Sequence, residues 1–473
     1  MSYEMINGKP REECGVFGIY SRDKKDVSSL IYLGLHSLQH RGQESAGITI
    51  TSGEDLNIYK NNGLVDSVFD EETLEYLQGN AGIGHVRYST TGSNKIVNAQ
   101  PLLINSSRGS VALAHNGNLV NGLDLRLFLE KNGSIFHSTL DTEVIAHLIA
   151  RSPCSEIEDA LTDSLNQIKG AYSLVVLTEN KLIGVRDAHG FRPLVLGRLD
   201  GDYVLASESC ALDMLGAELI RDVEPGEMVI IDDDGLRSNR FQPEVEQQFC
   251  VFEYIYFSRP DSRYNQNSVY QVRQEMGRQL AREMDDIEQI DTVVPVPDSG
   301  ISAAQGFAKE VGKPFEFGLI KNKYVGRTFI NPVQEIRNLK VKMKLNPIQE
   351  LVEGKRIALI DDSIVRGTTS SQLVDMLKEA GAEEVHLMIS SPPVAHPCYY
   401  GLDTSNRQEL IAADMEVEEI TKEIGADSLT YLSIEGLHSI MKDREPGCCD
   451  ACFSGNYPTE TGDDKMAMEK VIK

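Results

Sequence analysis

An acidic pair followed by a glycine turn has the clearest chemistry in this sequence. Residues 356–369 read RIALIDDSIVRGTT, in which a short apolar run ends at Asp361 and Asp362. The run predicts one buried parallel strand, and residues 370–380 predict a helix. Loop N–H groups and a helix N-terminus can bind a phosphate, while the carboxylates can bind ribose hydroxyls or hydrated Mg²⁺. A sugar-phosphate site is therefore favoured over an ATPase loop, because no Gly-Lys-Ser/Thr pattern occurs in the sequence.

The same stretch resembles the phosphoribosyl pyrophosphate (PRPP) motif of the type I phosphoribosyltransferases. The alternative is a simple acidic turn after a core strand, since Asp-Asp-Ser also suits a helix N-cap. The match over the full stretch favours the functional interpretation. The resemblance implies that PRPP is bound by Asp361, Asp362, Ser363, Arg366, Gly367, Thr368 and Thr369.

A second strand, predicted at residues 292–297, also runs into a polar glycine turn, Asp298-Ser299-Gly300. Ligands of doubly wound sheets collect outside the carboxyl ends of strands, so the two turns can face one ligand. By resemblance, Asp298 and Ser299 join the PRPP site. The resemblance also implies one Mg²⁺ per subunit, held near Ser299, Asp361 and Asp362.

Between these strands, residues 321–344 carry seven basic side chains and one acid. A charge run is usually a solvated loop, but this one lies between two phosphate-type turns in an acidic chain. An anionic ligand is therefore favoured, and Lys321 and Arg327 are included among the PRPP-binding candidates.

A second chemical centre is predicted at Cys14, which begins the run CGVFGIY. Alone, such a cysteine is usually a buried core thiol. Four further segments follow it in order: HSLQHRGQESAG at 36–47, GHVRYSTTG at 84–92, HNGNLVN at 115–121 and DTE at 141–143. Together they resemble the glutaminase domain of the class II glutamine amidotransferases, which has an N-terminal-nucleophile fold.

The residue types suit hydrolysis of the glutamine amide by a thiol. No Cys-His dyad is evident, but removal of residues 1–13 would free the α-amine of Cys14, whose reference pKa is about 7.7–8.0, to act as the base. The side chain of Asn116 and the N–H group of Gly117 can stabilise the oxyanion.

Two charged residues complete the predicted glutamine site. Arg87 suits the substrate carboxylate as a planar bidentate donor, and Asp141 suits the substrate ammonium. The chain departs from the family pattern beside Asp141, where Leu140 stands in place of a frequent serine.

Cys449 and Cys452 form a C-x-x-C pair, and the adjacent Cys448 could also pair with Cys452. This spacing is equally compatible with Zn²⁺, a redox pair or an iron–sulfur cluster. Spacing alone also leaves open which of the remaining cysteines would complete a metal site.

From Cys14 to about Pro458 the chain resembles the amidophosphoribosyltransferases of the cluster-containing type. The resemblance implies one structural [4Fe–4S] cluster per subunit, bound by Cys250, Cys398, Cys449 and Cys452. It also implies glutamine and PRPP as substrates, 5-phosphoribosylamine as product, purine nucleotides as inhibitors and a homodimer or homotetramer. Cys154 and Cys210 are then expected to be core thiols.

Two other functions are compatible with parts of the sequence. A related glutaminase could aminate a different acceptor, as in the relatives that form asparagine or glucosamine 6-phosphate, but the acidic-pair motif argues against this. A non-enzymatic PRPP or nucleotide sensor could retain the transferase fold, but Cys14 and its accompanying segments argue against that.

The composition limits the class of protein. A chain of 473 residues predicts about two to four domains. The net charge of −26 argues against nucleic-acid and anionic-membrane partners. No apolar run approaches the roughly 20 residues of a membrane span, the N-terminus lacks a signal-peptide core, and the cysteines do not form a secreted disulfide framework. A cytoplasmic location is expected.

The elements that must position these residues fall into two groups. Strands at 111–114, 173–177, 203–207 and 228–231, with helices at 141–150 and 157–168, predict a layered α+β domain; by resemblance it is the αββα sandwich of an N-terminal-nucleophile glutaminase. Strands at 292–297, 315–319, 357–360 and 384–389 alternate with helices and predict an α/β domain with a doubly wound parallel sheet. The proposed division is a propeptide (1–13), a glutaminase domain (14–245), a phosphoribosyltransferase domain (246–458) and a C-terminal tail (459–473).

Overall fold

A computed structural model of the chain describes residues 14–88, 95–106, 109–284, 287–322, 345–402, 404 and 406–461. The predicted propeptide, the candidate Arg327 and the last twelve residues of the predicted tail lie outside the described residues.

The first domain contains two antiparallel sheets. Their strands are β1 Gly15–Tyr20, β2 Ser45–Thr51, β3 Leu56–Asn62, β4 Ala81–Arg87, β5 Leu102–Ser106, β6 Gly109–Leu119, β7 Gly170–Leu177, β8 Leu182–Arg186, β9 Val195–Leu199, β10 Asp202–Ala206, β11 Glu218–Asp222, β12 Glu227–Asp232 and β13 Gly235–Arg240. One sheet has the order β11-β9-β10-β1-β4-β2-β3 and the other β13-β12-β8-β7-β6-β5.

The two sheets pack face to face, with β1 and β4 against β6 and β7. Apolar side chains such as Val16, Ile83 and Val175 fill the space between them. Helices cover both outer faces, which confirms the predicted αββα sandwich. The helices of this domain are Ser28–Ser37, Val65–Val68, Glu71–Tyr76, Gly122–Lys131, Thr142–Arg151, Ile157–Leu165 and Ser209–Leu215, with a 3₁₀ turn at Ile96–Asn98.

The second domain is built on a parallel sheet with the order β17-β20-β21-β22. The strands of this half are β14 Phe249–Cys250, β15 Arg263–Tyr264, β16 Asn267–Ser268, β17 Thr292–Pro295, β18 Leu319–Lys321, β19 Leu345–Pro347, β20 Arg356–Asp361, β21 Glu384–Ile389, β22 Ser428–Tyr431 and β23 Cys448–Cys449. Its α-helices are Val269–Arg282, Ile301–Val311, Gln349–Val352, Thr368–Glu379, Val417–Ile424, Ile434–Met441 and Ala451–Ser454, with a π-helix at Glu253–Phe257 and 3₁₀ turns at Ile287–Gln289, Arg407–Glu409 and Ile411–Ala413.

One predicted strand differs from the structure in a way that bears on the site. Residues 315–319 do not form a regular strand; Phe315 makes a single parallel bridge to Val293, and β18 pairs with β19 instead. The N–H of Val293 donates to the carbonyl of Pro314, and its carbonyl accepts from Glu316. This segment therefore lies on the side of β17 opposite β20, so the chain order reverses between these two strands. The sheet is doubly wound, with its switch point at the ends of β17 and β20.

The domain boundary predicted after residue 245 stays a prediction. Strand β13 ends at Arg240, and the next strand, β14, begins at Phe249 and pairs in parallel with β23 near the end of the described chain. None of the helices in the described part of the chain has the length and apolar content needed to cross a bilayer.

Candidate functional site

The predicted nucleophile lies at the entrance to β1. Because Gly15 pairs with Val86 in the antiparallel β1–β4 ladder, Cys14 and Arg87 lie at the same end of the sheet. The thiol of Cys14 is buried and donates to the carbonyl oxygen of Tyr88 at 3.4 Å. Arg87 is 2% exposed, and its Nη1 is 3.8 Å from a carboxylate oxygen of Glu44. A buried guanidinium at the same end of the sheet as the nucleophile suits the carboxylate of an amino-acid substrate.

The predicted oxyanion donors lie on β6. Asn116 is 1% exposed, and its amide Nδ2 is a buried donor without a hydrogen-bond partner. Buried donors are almost always paired in folded proteins, so one without a partner indicates a position that a ligand can satisfy. Gly117 has φ of +142°, and a Cβ atom here would collide with the carbonyl of Ala171. Only glycine fits this position of the strand.

Asp141 precedes the helix Thr142–Arg151 and is held in its ionised form. Its Oδ2 accepts a hydrogen bond of 3.0 Å from the N–H of Leu119, and its Oδ1 is 3.5 Å from Nδ1 of His115. Burial alone would raise the pKa of Asp141, but the attraction of His115 and the hydrogen bonds lower it. An ionised carboxylate here suits the ammonium group of glutamine.

Sequence reasoning missed a buried ion cluster behind Cys14, formed by Arg41, Arg192, Glu208 and Glu253. Arg41 donates from Nε to the carbonyl of Cys14 at 3.1 Å and from Nη1 to Glu208 at 2.6 Å. It also donates from Nη2 to Glu253 at 2.8 Å, and Nη1 of Arg192 lies 3.6 Å from the same Glu253 oxygen. All four side chains are fully buried. Burial opposes the charge of Arg41, but the two glutamates raise its pKa well above its usual value.

The ion cluster joins the glutaminase half of the chain to the π-helix Glu253–Phe257 of the second half. The segment HRGQES, which contains Arg41, was the only sequence signal for it. Nothing in the local sequence marked Glu253, because its partner lies 212 positions away in the chain.

The two polar turns of the second domain meet at the switch point of the sheet. The N–H of Val296 donates to the carbonyl of Ile360 at 2.8 Å, so the ends of β17 and β20 are adjacent. A Cβ atom on Gly300 would collide with the same carbonyl, which explains a glycine at this close approach. The structure therefore brings Ser299 to the edge of the sheet where Asp361 ends β20.

Both predicted acids at this edge are buried. Asp361 and Asp362 are each 1% exposed; the N–H of Asp362 donates to Oδ1 of Asp361 at 2.9 Å, and the hydroxyl of Ser363 donates to Oδ1 of Asp362 at 2.6 Å. Paired carboxylates fit Mg²⁺, which is usually held by one or two carboxylates together with substrate oxygens and water.

Sequence reasoning also missed Arg273, a buried cation beside the acidic pair. It donates from Nε to the carbonyl of Tyr254 at 2.6 Å and from Nη2 to that of Ser258 at 2.8 Å. Burial lowers the pKa of Arg273 to about 10, and the nearby charge of Asp362 opposes that shift. Arg273 remains a cation at neutral pH and balances part of the negative charge of the pair.

The predicted phosphate loop opens the helix Thr368–Glu379. Gly367 is its N-cap with φ of +74°, and no side chain caps the first N–H groups of the helix. The hydroxyl of Thr369 is buried without a hydrogen-bond partner. Uncapped N–H groups together with an unsatisfied hydroxyl fit a phosphate group.

The remaining PRPP candidates are engaged in ion pairs. Lys321 lies 2.6 Å from the carboxylate of Asp298, while Arg366 contacts Glu409 at the rim of a cavity of about 580 Å³ beside the phosphate loop. Both ion pairs would have to open for Lys321, Asp298 and Arg366 to bind PRPP, because each cation is matched by a carboxylate here.

The four predicted cluster cysteines converge although they are far apart in sequence. Cys250 and Cys449 are directly paired on β14 and β23, and the N–H groups of residues 395 and 396 both donate to the carbonyl of Cys452. All four thiols are at most 8% exposed. Burial raises the pKa of the Cys452 thiol, and Cys398, Cys250 and Cys449 raise it further. The four thiols are buried, and they are close enough that their thiolate forms would repel one another. Such a set of sulfur donors fits an iron–sulfur cluster.

Within the described residues, no three His, Cys, Asp or Glu side chains converge closely enough to hold a single metal ion. This does not conflict with a cluster, since each cysteine of a [4Fe–4S] centre binds a different iron and the sulfurs lie farther apart than ligands of one ion. Cys210 is buried and Cys154 is half-buried, and Cys154 packs against a different apolar core from the four cysteines.

Comparisons with known proteins agree with the two predicted domains. The family model for a glutamine amidotransferase domain matches residues 85–214, and that for a phosphoribosyl transferase domain matches residues 265–421. The amidophosphoribosyltransferase of Bacillus subtilis is 52% identical over 460 residues, which are 96% of each chain. That of Methanocaldococcus jannaschii is 47% identical over 470 residues, 96% of this chain and 99% of the relative.

A solved structure of the B. subtilis glutamine PRPP amidotransferase, complexed with ADP and GMP, matches with a TM-score of 0.89 and 51% identity over 95% of this chain and 98% of that chain. A second, described as the allosteric regulatory enzyme of purine biosynthesis, matches with a TM-score of 0.91 and 51% identity, covering 95% and 97% of the two chains. Identity of this level over nearly the whole chain means that the chain belongs to the amidophosphoribosyltransferase family, as an enzyme with a glutamine amidotransferase domain followed by a phosphoribosyltransferase domain.

Proposed function

We propose that this chain converts glutamine and PRPP to glutamate, diphosphate and 5-phosphoribosylamine, the first committed step of purine synthesis, with the residues assigned above. The observation that carries the residue assignment is a pair of buried, unsatisfied groups, the Nδ2 of Asn116 and the hydroxyl of Thr369. Each lies where the proposed chemistry requires a donor to a substrate oxygen.

In the first site, the Cys14 sulfur attacks the side-chain amide of glutamine, held by Arg87 and Asp141. The α-amine of Cys14 takes the thiol proton and delivers it to the leaving nitrogen. Asn116 and Gly117 stabilise the negative oxygen of the tetrahedral intermediate. Ammonia leaves, and water then hydrolyses the thioester to give glutamate and the free thiol.

In the second site, the nitrogen of ammonia forms a bond to C1 of the ribose as the C1–O bond to diphosphate breaks. The loop from Arg366 to Thr369 holds the 5-phosphate, and the turn at Ser299 faces the diphosphate. Asp361 and Asp362 orient the ribose and would hold Mg²⁺, which supplies charge neutralisation for the leaving diphosphate.

The test of this function is glutamine-dependent release of diphosphate from PRPP, with ammonia as an alternative nitrogen source. A glutaminase that aminates another acceptor would release no diphosphate from PRPP. A nucleotide sensor would turn over neither substrate.

Processing of the leader is part of the proposal, because the α-amine of Cys14 must be free to act as the base. We expect active protein to have an intact mass that corresponds to a chain beginning at Cys14. Mass spectrometry of the purified protein measures this directly. Fully active protein that still carries all thirteen leader residues would contradict the assignment of the base.

A [4Fe–4S] cluster bound by Cys250, Cys398, Cys449 and Cys452 is also proposed. It would supply structural cross-linking of three separate chain segments, since its ligands are distant in sequence. We expect brown protein with about four iron atoms per chain, as measured by metal analysis. Active, colourless protein loaded with zinc would contradict the cluster.

Regulation and assembly are proposed by analogy to relatives. The complex of the B. subtilis structure with ADP and GMP supports purine nucleotides as inhibitors of this chain. A homodimer or homotetramer and a cytoplasmic location are proposed as well; the absence of disulfides among the eight cysteines fits a reducing compartment.

A further inference from the structure

Strand β6 carries a side chain that reaches from the glutaminase domain to the cysteine site. Asn118 is 3% exposed and lies two residues after the oxyanion donor Asn116. Its Nδ2 donates a hydrogen bond of 2.8 Å to the carbonyl of Tyr399, 281 positions away in the chain. Tyr399 directly follows Cys398, one of the proposed cluster ligands.

Residues 398–401, here called the cluster loop, contact the glutaminase domain through Tyr400. The fully buried Arg192 donates from Nη2 to the carbonyl of Tyr400 at 2.7 Å, and the ring of Phe191 stacks on that of Tyr400 at 4.3 Å. Within the loop, the N–H of Tyr400 donates to Sγ of Cys398 at 3.4 Å. The conformation of this loop is therefore tied both to the thiol and to the glutaminase domain.

The part of β6 that bears the oxyanion donors, Asn116 and Gly117, depends on contacts made by side chains. Strand β5 pairs with β6 only as far as Leu113, so among the residues that the structure describes, 114–119 pair with a strand on one side only. The N–H of His115 donates to the side chain of Gln100, the N–H of Leu119 donates to Asp141, and the side chain of Asn118 donates to the cluster loop. These side-chain contacts hold a strand segment that has one paired edge.

We propose that Asn118 is a positioning residue that couples the cluster loop to the oxyanion donors Asn116 and Gly117. A cluster bound by Cys398 would fix the position of the loop, and the Tyr399 carbonyl holds Asn118, and with it Asn116 and Gly117, in the geometry that stabilises the oxyanion. The inference rests on the proposed cluster. Its consequence is that the cluster supports glutamine use, whereas the PRPP site with free ammonia is independent of this contact.

The test compares Asn118→Ala with Asn80→Ala in the purified holoenzyme. Asn80 is a matched control, because it is also buried and its Nδ2 donates to a main-chain carbonyl, that of Ser21, but it lies within the glutaminase domain. Glutamine-dependent and ammonia-dependent diphosphate release are measured for each protein. The rate at which the visible absorbance of the cluster bleaches in air is measured in parallel.

For Asn118→Ala we expect kcat with glutamine to fall about five- to tenfold, with KM for glutamine within about twofold, because the oxyanion contact acts in the transition state. Ammonia-dependent activity should stay within about twofold and thereby report a folded second domain, while bleaching should be faster than in the wild type. Asn80→Ala should leave the bleaching rate unchanged.

Two results would overturn the coupling: a kcat with glutamine no lower than that of Asn80→Ala, or a bleaching rate equal to that of the wild type. The iron content of the wild type is a separate readout. Wild-type protein without iron would defeat the cluster assignment itself, whereas iron-loaded protein with an unaffected Asn118→Ala variant defeats only the coupling.

Discussion

Replacing Cys14 with alanine is expected to reduce glutamine-dependent diphosphate release to background, a loss of about 10³-fold or more, because no other group can form the thioester. Ammonia-dependent release should stay close to that of the wild type, since the PRPP site has its own loop and acidic pair. The measurement is diphosphate release from PRPP with each nitrogen source at saturating concentration.

Cys154→Ala is the matched control for loss of a thiol. Cys154 belongs to the same domain and is half-buried, but packs at the edge of a separate apolar core. The control should retain both activities. Retained glutamine use in Cys14→Ala would exclude Cys14 as nucleophile, and an equal loss with ammonia would mean that the substitution disturbs the second domain.

The second large effect is expected from Glu253→Gln, which removes one carboxylate from the buried ion cluster. Of the two carboxylates that Arg41 contacts, only Glu208 would then remain charged. Breaking a fully buried ion pair by removing one partner costs about 3–5 kcal/mol of folding free energy, because a charge stays buried without compensation. The midpoint of chemical denaturation measures this loss, provided that the slope of the transition is unchanged.

Glu218→Gln is the control for this variant. Glu218 pairs with Arg198 at 2.9 Å, but its side chain is 67% exposed. Water screens such a pair, so its removal should change stability by about 1 kcal/mol or less. Similar denaturation midpoints for the two variants would show that the buried ion cluster does not stabilise the chain more than a surface pair does.

Glu253→Gln should also lower glutamine-dependent diphosphate release, since Arg41 holds the carbonyl of Cys14. The pKa of Glu253 shows how the ion cluster is balanced: burial alone would raise it, but Arg41 and Arg192 lower it. The carboxylate is therefore charged at neutral pH, and its neutral amide replacement is a change of charge as well as of hydrogen bonding.

Local pattern was sufficient for the two fold classes and for several elements, but it predicted only four of the thirteen strands described in the first domain. The strand at residues 384–389 and the helix that follows the acidic pair were predicted to within two residues, because each has a continuous apolar run or a helical period. The strand Ser428–Tyr431 was missed, since it is short and half polar. The segment around Phe315 was predicted as a strand but forms one bridge, a difference that depends on pairing with Val293 and not on local composition.

By itself the sequence determined which residues could do chemistry: Cys14 with its four ordered segments, the acidic pair with its glycine turn, and the cysteines at the end of the chain. Their types and spacing are local properties of the chain. Only the tertiary structure decided what surrounds them. The partners of Arg41 and Asn118 come from distant segments. Burial makes their hydrogen bonds important, because no water can replace a missing partner there.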